Sequence, residues 1–475
     1  MNLRPANSSH DLEQLTARPG VSASLYQASR LRTRHAHWQF LDNGGQLFVV
    51  DGSQIFDVGR EVIKHLDAAA AFGDAAVATA LGDLGIYLPQ LIDDKPLESP
   101  PLRALTLAVA QKCNLGCSYC YAGQGQFGGA PKNMARETAR QAVELLVGSS
   151  MQGTRLNLAF LGGEPLANRA VLRDATEYAA SIAKSRGAHI SFSITTNGTL
   201  LTKDDAEFFE RYGFAVTISL DGPRDVHNRQ RPFRNGNGSF DRIIQRTRPL
   251  LEIQRKMQVS VRATVAPGNA SLRETLDLFL GMNFHSVGFS PVLRSPGERD
   301  EISSKELANF LDAMVDCGLE FERRVNRGER YAFINITNAL REIDRGTHRP
   351  YPCGAGAGYL GVSADGDLAA CHRFVEDKDG RMGSLDLGID HDAQRHWLTE
   401  RHVHAQSPCH SCWARYLCSG GCHHEVIARG RPACDYIRGW LHFCLQVYSR
   451  LKRSRPDWFD FPASVPYESR ELTTV

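Results

Sequence analysis

The chain has 475 residues, 42% of them hydrophobic, and its 55 Lys and Arg nearly balance 53 Asp and Glu. This length supports two or three domains with hydrophobic cores, and the balanced charge argues against a broad nucleic-acid surface. No run approaches the roughly 18 apolar residues of a membrane span, and the first residues lack the apolar core of a signal peptide. Twelve cysteines cluster at metal-ligand spacings rather than as a disulfide framework. We therefore expect a cytoplasmic protein with neither nucleic acid nor a membrane as a partner.

Residues 1–98 are predicted to form a small α+β domain at the N-terminus. Two apolar runs flank a Gly44-Gly45 turn and are expected to pair as strands, and two segments with helical periodicity follow them. The strands are predicted at 37–40 and 47–50, and the helices at 57–70 and 75–81. This order is similar to the leader-peptide recognition modules of ribosomal peptide pathways, which bind a peptide by extending a sheet edge. A purely structural cap is the alternative.

Residues 99–330 alternate strand-like and helix-like patterns six times. Apolar runs indicate strands at 105–109, 156–161, 190–194, 216–220, 259–265 and 286–292, and amphipathic segments indicate helices, for example at 136–147, 168–184, 240–253 and 271–282. Such an alternation requires parallel strands joined by right-handed crossovers, which predicts an α/β fold with a partial (β/α)6 TIM-like barrel. In such barrels the functional residues gather where strands end and loops begin.

Cys113, Cys117 and Cys120 follow the first of these apolar runs. Three thiolates at this spacing can hold three irons of a cubane cluster and leave the fourth iron without a protein ligand, although three nearby cysteines could also bind zinc. The second run ends in Gly162-Gly163-Glu164-Pro165, where two glycines allow close backbone approach beside a carboxylate. Together the two motifs resemble the signature of radical S-adenosylmethionine (SAM) enzymes.

The resemblance implies a catalytic [4Fe-4S] cluster on Cys113, Cys117 and Cys120, whose open iron binds SAM and splits it to give a deoxyadenosyl radical. It also implies contacts with SAM at the strand ends. These are the turn of Gly162, Gly163 and Glu164 at the methionine ammonium, Tyr119 on the adenine, Ser193, Thr195 and Asn197 along the ribose, Ser219 and Arg262 at the carboxylate, and Asp221 in a stretch resembling the family's fourth strand. Considered one at a time, Thr195, Ser219 and Arg262 could be polar side chains that only solvate the strand ends. Asp221 could be a helix cap or turn former.

Three further segments lie beside these motifs. The basic run at 224–234 is predicted to be a solvated loop. Cys317 lies in an apolar-periodic segment that starts at Leu307, and it is expected to be a buried small hydrophobe. Residues 331–350 are expected to form a linker helix.

Eight of the twelve cysteines lie between residues 353 and 444, a number that suits two tetrahedral four-ligand sites of zinc or of iron–sulfur clusters. Their order, with a Gly366-x4-Cys371 hairpin, resembles the SPASM extension of radical peptide maturases, here residues 351–446 with a tail at 447–475. The resemblance implies two auxiliary [4Fe-4S] clusters, for three clusters in all. Cys353, Cys371 and Cys422 would hold the first, and Cys409, Cys412, Cys418 and Cys434 the second. Cys444 either completes the first site or leaves it with an open iron that binds substrate sulfur.

Two subfamilies of peptide maturases compete in this resemblance. Sulfatase-type maturases, which oxidise a Cys or Ser side chain, carry Cys-Asp-Phe where this chain has Cys371-His372-Arg373-Phe374, so the expected proton acceptor is missing. His372 is a candidate base because its unperturbed pKa is about 6.5, and the alternative is a hydrogen-bond donor to cluster sulfide. Several motifs, among them 125–129, 420–425 and 434–440, look like those of the maturation enzymes of quinohemoprotein amine dehydrogenase.

Those enzymes form thioether crosslinks between a cysteine sulfur and an Asp or Glu methylene carbon in the small subunit of the dehydrogenase. We therefore expect an enzyme that forms such crosslinks in a peptide or small-protein substrate, the amine dehydrogenase small subunit, with an external electron donor. A sulfatase-type formylglycine maturase, or another enzyme that crosslinks ribosomal peptides, is the alternative. A non-enzymatic zinc or iron–sulfur protein that binds peptides or carries electrons is the third expectation.

Overall fold

The computed structural model describes residues 33–460 except 43, 87–89, 149, 270 and 299. The start of the predicted N-terminal domain and the end of the predicted tail therefore lie outside the described residues. Among the described helices, none combines the length and the apolar character that a bilayer span requires.

The N-terminal unit is an antiparallel sheet packed on two helices. Its elements are β1 (Ala36–Leu41), β2 (Gly44–Val49), β3 (Gln54–Val58), α1 (Arg60–Ala70) and α2 (Asp74–Asp83). Trp38, Leu47 and Leu66 contribute to a core of its own. The predicted strand pair and second helix are confirmed. The first predicted helix starts too early, because residues 54–58 extend the sheet as a third strand and the helix begins only after the extended Gly59.

Six parallel strands form the centre of the molecule. They are β4 (Ala104–Gln111), β6 (Arg155–Gly162), β7 (His189–Thr196), β8 (Ala215–Ser219), β9 (Gln258–Val265) and β10 (Val287–Pro291), and the short β5 (Lys132–Asn133) pairs antiparallel with β4. The helices between them are α3 (Arg136–Gly148), α4 (Arg169–Ser185), α5 (Lys203–Tyr212), α6 (Arg224–Gln230), α7 (Phe240–Ile253) and α8 (Leu272–Gly281). The predicted strands and helices of this region are confirmed, with ends shifted by a few residues. Because the spatial order is β10-β9-β8-β7-β6-β4, the barrel is open.

The two faces of this sheet differ in polarity. On β7, Phe192 and Ile194 are buried against the helices, while Ser193 and Thr195 are partly exposed on the other face. Arg262 on β9 is partly exposed in the same way. Since side chains alternate along a strand, the concave face of the sheet carries small and polar side chains and is open to solvent. The strand ends on this face surround the candidate site.

The C-terminal half continues the same sheet. After α9 (Ser304–Asn326) and α10 (Ile334–Asp344), β11 (Tyr359–Val362) runs parallel to β4 and pairs Tyr359 with Ala104. The strands β12 (Asp367–Ala369), β13 (Arg381–Ser384) and β14 (Gly388–Ile389) extend it, so the described part of the chain holds one eleven-stranded sheet. Gly366, with a φ of +93°, lies in the turn of the predicted β11–β12 hairpin, where glycine is favoured.

Four helices complete this half of the molecule: α11 (His391–Arg401), α12 (Arg415–Cys418), α13 (His423–Arg429) and α14 (Cys434–Ser454). The long α14 packs against α9 and α10. The boundary predicted between residues 446 and 447 falls inside α14, which continues to Ser454. Helix α10 lies within the predicted linker at 331–350. Cys317 is buried in α9, as predicted.

Candidate functional site

The loop after β4 carries Cys113, Cys117 and Cys120, whose thiols lie close enough for their charges to act on one another. Burial raises the pKa of Cys113, and it raises the pKa of Cys117 to about 12. The charge of Arg231 opposes this effect at both thiols. A thiol in such an environment stays protonated near neutral pH until a metal replaces the proton, because metal coordination requires the thiolate.

The Gly162-Gly163-Glu164-Pro165 turn packs directly against this loop. The N–H of Gly163 donates to the carbonyl of Ala110 at 2.8 Å. A Cβ at position 163 would lie 2.4 Å from the Lys112 oxygen, and one at Gly125 would lie 2.4 Å from the Cα of Gly163. Three backbone segments therefore meet at distances that only glycine allows, and this contact fixes the turn relative to the cysteine loop.

Glu164 is fully buried at the base of the site. Its carboxylate accepts hydrogen bonds from the Thr196 hydroxyl at 2.7 Å and from the backbone N–H groups of Leu166 at 3.0 Å and Asn197 at 2.7 Å. Burial raises the pKa of Glu164, and these donors oppose the increase. A carboxylate offers about four acceptor positions. One position is left for a ligand, which fits the predicted contact with an ammonium group.

Asn197 holds the cysteine loop in place. Its Nδ2 donates to Oδ1 of Asn114 at 3.0 Å and lies 3.6 Å from Sγ of Cys113. Its Oδ1 accepts from the N–H of Thr199 at 3.0 Å and from the hydroxyl of the same residue at 2.6 Å. The polar atoms of this buried side chain are thus engaged within the protein. Asn197 thus positions the cysteine loop, and its predicted ribose contact stays a prediction.

Tyr119 and Asp221 belong to a buried hydrogen-bond network. The hydroxyl of Tyr119 donates to Oδ2 of Asp221 and accepts from Nη1 of Arg231 at 2.6 Å. The other oxygen of Asp221 accepts from the N–H of Thr264 at 3.0 Å. Asp221 is buried, as Glu164 is, and it orients the Tyr119 side chain. Its predicted contact with SAM stays a prediction.

Ser193, Thr195, Ser219 and Arg262 lie on the concave face of the sheet, where each is partly exposed. Ser219 and Arg262 are register partners on β8 and β9. Arg262 is close enough to Arg373 and Glu425 of the C-terminal half for their charges to act on it. The structure thus brings these four predicted residues to one surface, which faces the cysteine-rich segment.

Cys353, Cys371 and Cys422 form a second thiol group. Burial raises the pKa of Cys371 to about 12, and the charges of Cys353 and Cys422 act in the same direction. Next to Cys371, Nδ1 of His372 lies 2.8 Å from the hydroxyl of Tyr359. Burial lowers the pKa of His372 to about 3. An imidazole with this pKa is a weak proton acceptor near neutral pH, so the structure weighs against the predicted base and favours a neutral hydrogen-bonding side chain.

Cys409, Cys412, Cys418 and Cys434 form a third thiol group. Burial raises the pKa of Cys418 to about 12, and the charges of the other three thiols add to this effect. A cavity at this group is lined by the four cysteines together with Cys422, Arg431 and Arg438. Both arginines lower the pKa of Cys434 against the burial that raises it. Two cations thus lie where thiolate charge would accumulate.

The structure corrects one predicted ligand. Cys444 lies on α14 in the hydrophobic core with no exposed surface. Burial alone raises its pKa, whereas the pKa of Cys371 also responds to Cys353 and Cys422. Helix α14 therefore carries Cys444 away from that thiol group and into the core. Cys444 is a buried small hydrophobe, like Cys317.

A cleft of about 970 Å³ lies between the cysteine loop and the cysteine-rich segment. It is lined by Tyr121 and Phe127 of the loop, Arg294 and Glu301 after β10, Arg373 and Glu376 after β12, and His424 and Arg429 of α13. Burial raises the pKa of Tyr121, and the charges of Cys120, Cys371 and Cys422 act in the same direction. Tyr121, which lines the cleft, is therefore close to thiols of both the first and the second group.

The donor atoms at these groups suit iron–sulfur clusters. All twelve cysteines are thiols, and eleven of them were predicted to bind metal, of which only Cys444 is carried elsewhere. Thiolate ligation is what such clusters require. In the described residues, no set of three or more His, Cys, Asp or Glu side chains is arranged to hold a single metal ion. The residues at the three thiol groups thus fit thiolate-bound clusters.

Sequence reasoning missed two residues of the site. Arg231 lies in the run predicted to be a solvated loop, but residues 224–230 form α6 and Arg231 is 9% exposed. Phe233, two positions further on, was a signal that this segment packs against the protein. Tyr121 directly follows the last cysteine of the motif, and that position was its signal.

Residues 107–279 match the family model of the Radical SAM superfamily. The serine-type anaerobic sulfatase-maturating enzyme of Klebsiella aerogenes is 26% identical over 369 residues, which cover 75% of this chain and 88% of the relative. The cysteine-type anaerobic sulfatase-maturating enzyme of Clostridium perfringens is 25% identical over 372 residues, 74% of this chain and 98% of the relative.

Two solved structures share the fold. Native anSMEcpe with bound AdoMet matches with a TM-score of 0.64 and 22% identity, over 75% of this chain and 100% of that chain. Streptococcus suis SuiB bound to the precursor peptide SuiA matches with a TM-score of 0.50 and 15% identity, over 84% of this chain and 97% of that chain. The predicted radical SAM resemblance is thus confirmed for residues 107–279. Both of the relatives named above are sulfatase-maturating enzymes, and they do not show the thioether-forming subfamily.

Proposed function

We propose that this chain is a radical SAM enzyme that oxidises a side chain of a peptide or small-protein substrate. The observation that carries this proposal is the cleft lined by Tyr121, a side chain that directly follows Cys120 and is close enough to Cys371 and Cys422 for their charges to act on it. The match of residues 107–279 to the Radical SAM superfamily and the sulfatase-maturating relatives support it.

In this proposal Cys113, Cys117 and Cys120 hold the SAM-binding [4Fe-4S] cluster, and the second and third thiol groups hold one auxiliary [4Fe-4S] cluster each. When bound, the first cluster and SAM supply the radical that removes a hydrogen atom from the substrate. Glu164 offers its remaining acceptor position to the ammonium group of SAM. Ser219 and Arg262 face the space above the sheet, where the SAM carboxylate binds. An external protein supplies the electrons.

The barrel, at residues 99–330, and the SPASM segment, at 351–446, have separate tasks in this scheme. The Tyr119–Asp221 network holds the floor of the SAM site rigid, because each hydroxyl and carboxylate atom in it has a protein partner. Tyr121 and Arg373 form the wall between the SAM site and the first auxiliary site, with the guanidinium carbon of Arg373 5.0 Å from the ring centre of Tyr121. Residues 1–98 dock the peptide.

The relatives favour a sulfatase-type reaction, in which a Cys or Ser side chain becomes formylglycine. A proton acceptor is then needed, and His372 occupies the place next to Cys371 where those maturases carry an aspartate. Two carboxylates that line the cleft are paired with cations, Glu301 with Arg429 at 2.8 Å and Glu376 with Lys132 at 2.6 Å. Glu298 and Asp377 also line the cleft, so the base of such a reaction would come from one of these four carboxylates or from the substrate.

The missing aspartate favours a second product, a thioether crosslink in the small subunit of quinohemoprotein amine dehydrogenase. A cysteine sulfur joins the methylene carbon of an Asp or Glu residue, one S–H and one C–H hydrogen are lost, and two electrons leave. One electron would leave with the C–H hydrogen atom that the SAM-derived radical takes, the other would pass to an auxiliary cluster, and the S–H hydrogen would leave as a proton. The group of Cys353, Cys371 and Cys422 supplies three thiols, since Cys444 lies elsewhere, so one position remains for a substrate sulfur.

The test uses anaerobically reconstituted protein with SAM, a reductant and one of two peptides. One peptide carries the small-subunit sequence with its Cys and acidic residues, and the other carries a sulfatase-type Cys or Ser. Deoxyadenosine together with loss of two hydrogens and one titratable thiol per link supports the thioether reaction. A carbonyl that reacts with a hydrazide supports the sulfatase-type reaction. Protein that binds only zinc, or that leaves both peptides unchanged, contradicts the proposed function.

A further inference from the structure

Arg231 is buried beside the cysteine loop although it comes from a basic run. The N–H of Gly116 donates to the carbonyl of Pro232 at 2.8 Å, and Leu115 forms an antiparallel bridge with Phe233. These contacts join the segment after α6 to the cysteine loop. They bring the side chain of Arg231, which is 9% exposed, into the site.

The guanidinium of Arg231 has one hydrogen-bond partner among the described residues. Its Nη1 donates to the hydroxyl of Tyr119 at 2.6 Å, and its central carbon lies 5.9 Å from the centre of that ring. The buried Nε has no hydrogen-bond partner among the described residues. The carboxylate of Asp221 accepts from the same Tyr119 hydroxyl, and its charge acts on Arg231. A buried cation is costly unless negative charge lies nearby, and Asp221 supplies part of that charge.

The thiolates of the cysteine loop can supply further negative charge. The charge of Arg231 acts on Cys113 and Cys117, and at Cys117 its effect is larger than the opposite effect of Asp221. An iron–sulfur cluster on three thiolates carries net negative charge, which increases when the cluster takes up an electron. A fixed cation nearby stabilises the more negative, reduced cluster.

We propose that Arg231 is a positioning residue that places a buried positive charge beside Cys113 and Cys117 and so raises the reduction potential of the SAM-binding cluster. The inference rests on the proposed function, because it requires a cluster on these cysteines. Tyr119 and the contacts of residues 232 and 233 fix the position of the charge. The effect depends on the charge of the side chain and not on its hydrogen bond to Tyr119.

The test compares Arg231→Gln, which removes the charge, with Arg231→Lys, which keeps it. Arg229→Gln is the matched control, because Arg229 is exposed at the end of α6. Each full-length variant is reconstituted anaerobically, and the SAM-binding cluster is followed by EPR during a redox titration. The change of its EPR signal on addition of SAM identifies it. We expect a more negative midpoint potential for Arg231→Gln, a value near wild type for Arg231→Lys and no change for Arg229→Gln.

A wild-type potential in Arg231→Gln overturns the inference. Loss of this cluster from Arg231→Gln but not from Arg231→Lys supports it, because both variants lose the guanidinium and only one loses the charge. Equal loss of the cluster from both variants overturns it. Wild-type protein without any SAM-responsive cluster overturns the proposed function as well, so the two failures are distinguishable.

Discussion

His37 on β1 and His442 on α14 form a hydrogen bond between ring nitrogens that are 2.8 Å apart. Both side chains are buried, and the ring of His37 stacks on Trp413 with 3.9 Å between the ring centres. Gln46 on β2 adds a hydrogen bond from its Nε2 to the carbonyl of Leu445 at 2.8 Å. The N-terminal unit is therefore attached to the C-terminal half through a buried polar contact.

This histidine pair predicts a loss of stability in mild acid. Burial lowers the pKa of His442 to about 4 and holds the pKa of His37 well below its usual value. The unfolded chain protonates His442 at a pH of about 6.5, while the folded chain does not protonate it until near pH 4. The contribution of His442 to stability is therefore complete above about pH 6.5 and decreases as the pH falls towards 4, by about 1 kcal/mol between pH 7.5 and 5.5. The lowered pKa of His37 acts in the same direction.

Thermal unfolding of His442→Gln at pH 7.5 and 5.5 checks this prediction. Gln keeps hydrogen-bonding capacity at this position without titrating, so the variant should lose less stability than wild type over the same pH interval. His65→Gln is the control, because His65 is exposed on α1. Equal losses in wild type and His442→Gln would show that other groups determine the pH dependence.

Cys444→Ala should leave the iron content unchanged. The thiol lies in the core and outside the three thiol groups, so its removal should cost only about 1 kcal/mol of folding free energy. Cys371→Ala should remove about four iron atoms per chain, since it takes one ligand from the first auxiliary site. Iron analysis and thermal unfolding measure both effects, and Cys317→Ala is the matched control for a buried thiol. A fall in iron for Cys444→Ala would restore it as a ligand.

Glu164→Gln should weaken SAM binding and destabilise the site. The amide has one acceptor oxygen in place of two, whereas the carboxylate accepts from Leu166, Thr196 and Asn197. Loss of charge-assisted hydrogen bonds of this kind costs about 2–3 kcal/mol. The SAM-dependent change in the EPR signal and the melting temperature measure the two effects. The exposed Glu137→Gln on α3 is the control, and wild-type SAM binding by Glu164→Gln would rule out the ammonium contact.

Gly163→Ala should prevent assembly of the SAM-binding cluster while the auxiliary clusters still form. Its Cβ would lie 2.4 Å from the carbonyl oxygen of Lys112, so the cysteine loop would have to move. Gly129→Ala is the control, because a Cβ there meets nothing closer than 3.6 Å. Cluster content is measured by iron analysis and by the SAM-responsive EPR signal. Full retention of that signal would mean that the loop can relax around the methyl group.

The strands of the barrel and the three groups of thiols could be predicted because their signals are local. Strand periodicity is visible over five to eight residues, and cysteine spacing limits which thiols can meet. Arg231 could not be predicted, because its burial depends on contacts between two loops that are about a hundred residues apart in the chain. Cys444 was wrongly predicted to be a ligand because it is near other cysteines in the sequence. Its position on α14 places it in the core instead, and nearness in the sequence does not reveal this direction.

The roles of Asp221 and Asn197 were also beyond the sequence. Both lie at strand ends, where a polar side chain either faces a ligand or stabilises the neighbouring loop. The choice depends on which donors and acceptors the adjacent loops supply, and here Tyr119, Asn114 and Thr199 supply them. The strand pattern places the residue at the site, and only the tertiary contacts decide what it does there.

The parallel pairing of β11 with β4 has a mechanical consequence. Backbone hydrogen bonds between β4 and β11 join the barrel to the cysteine-rich segment. The two parts cannot move apart unless these hydrogen bonds break. For the clusters of the proposed function, this pairing would hold the sites on either side of it at a fixed separation.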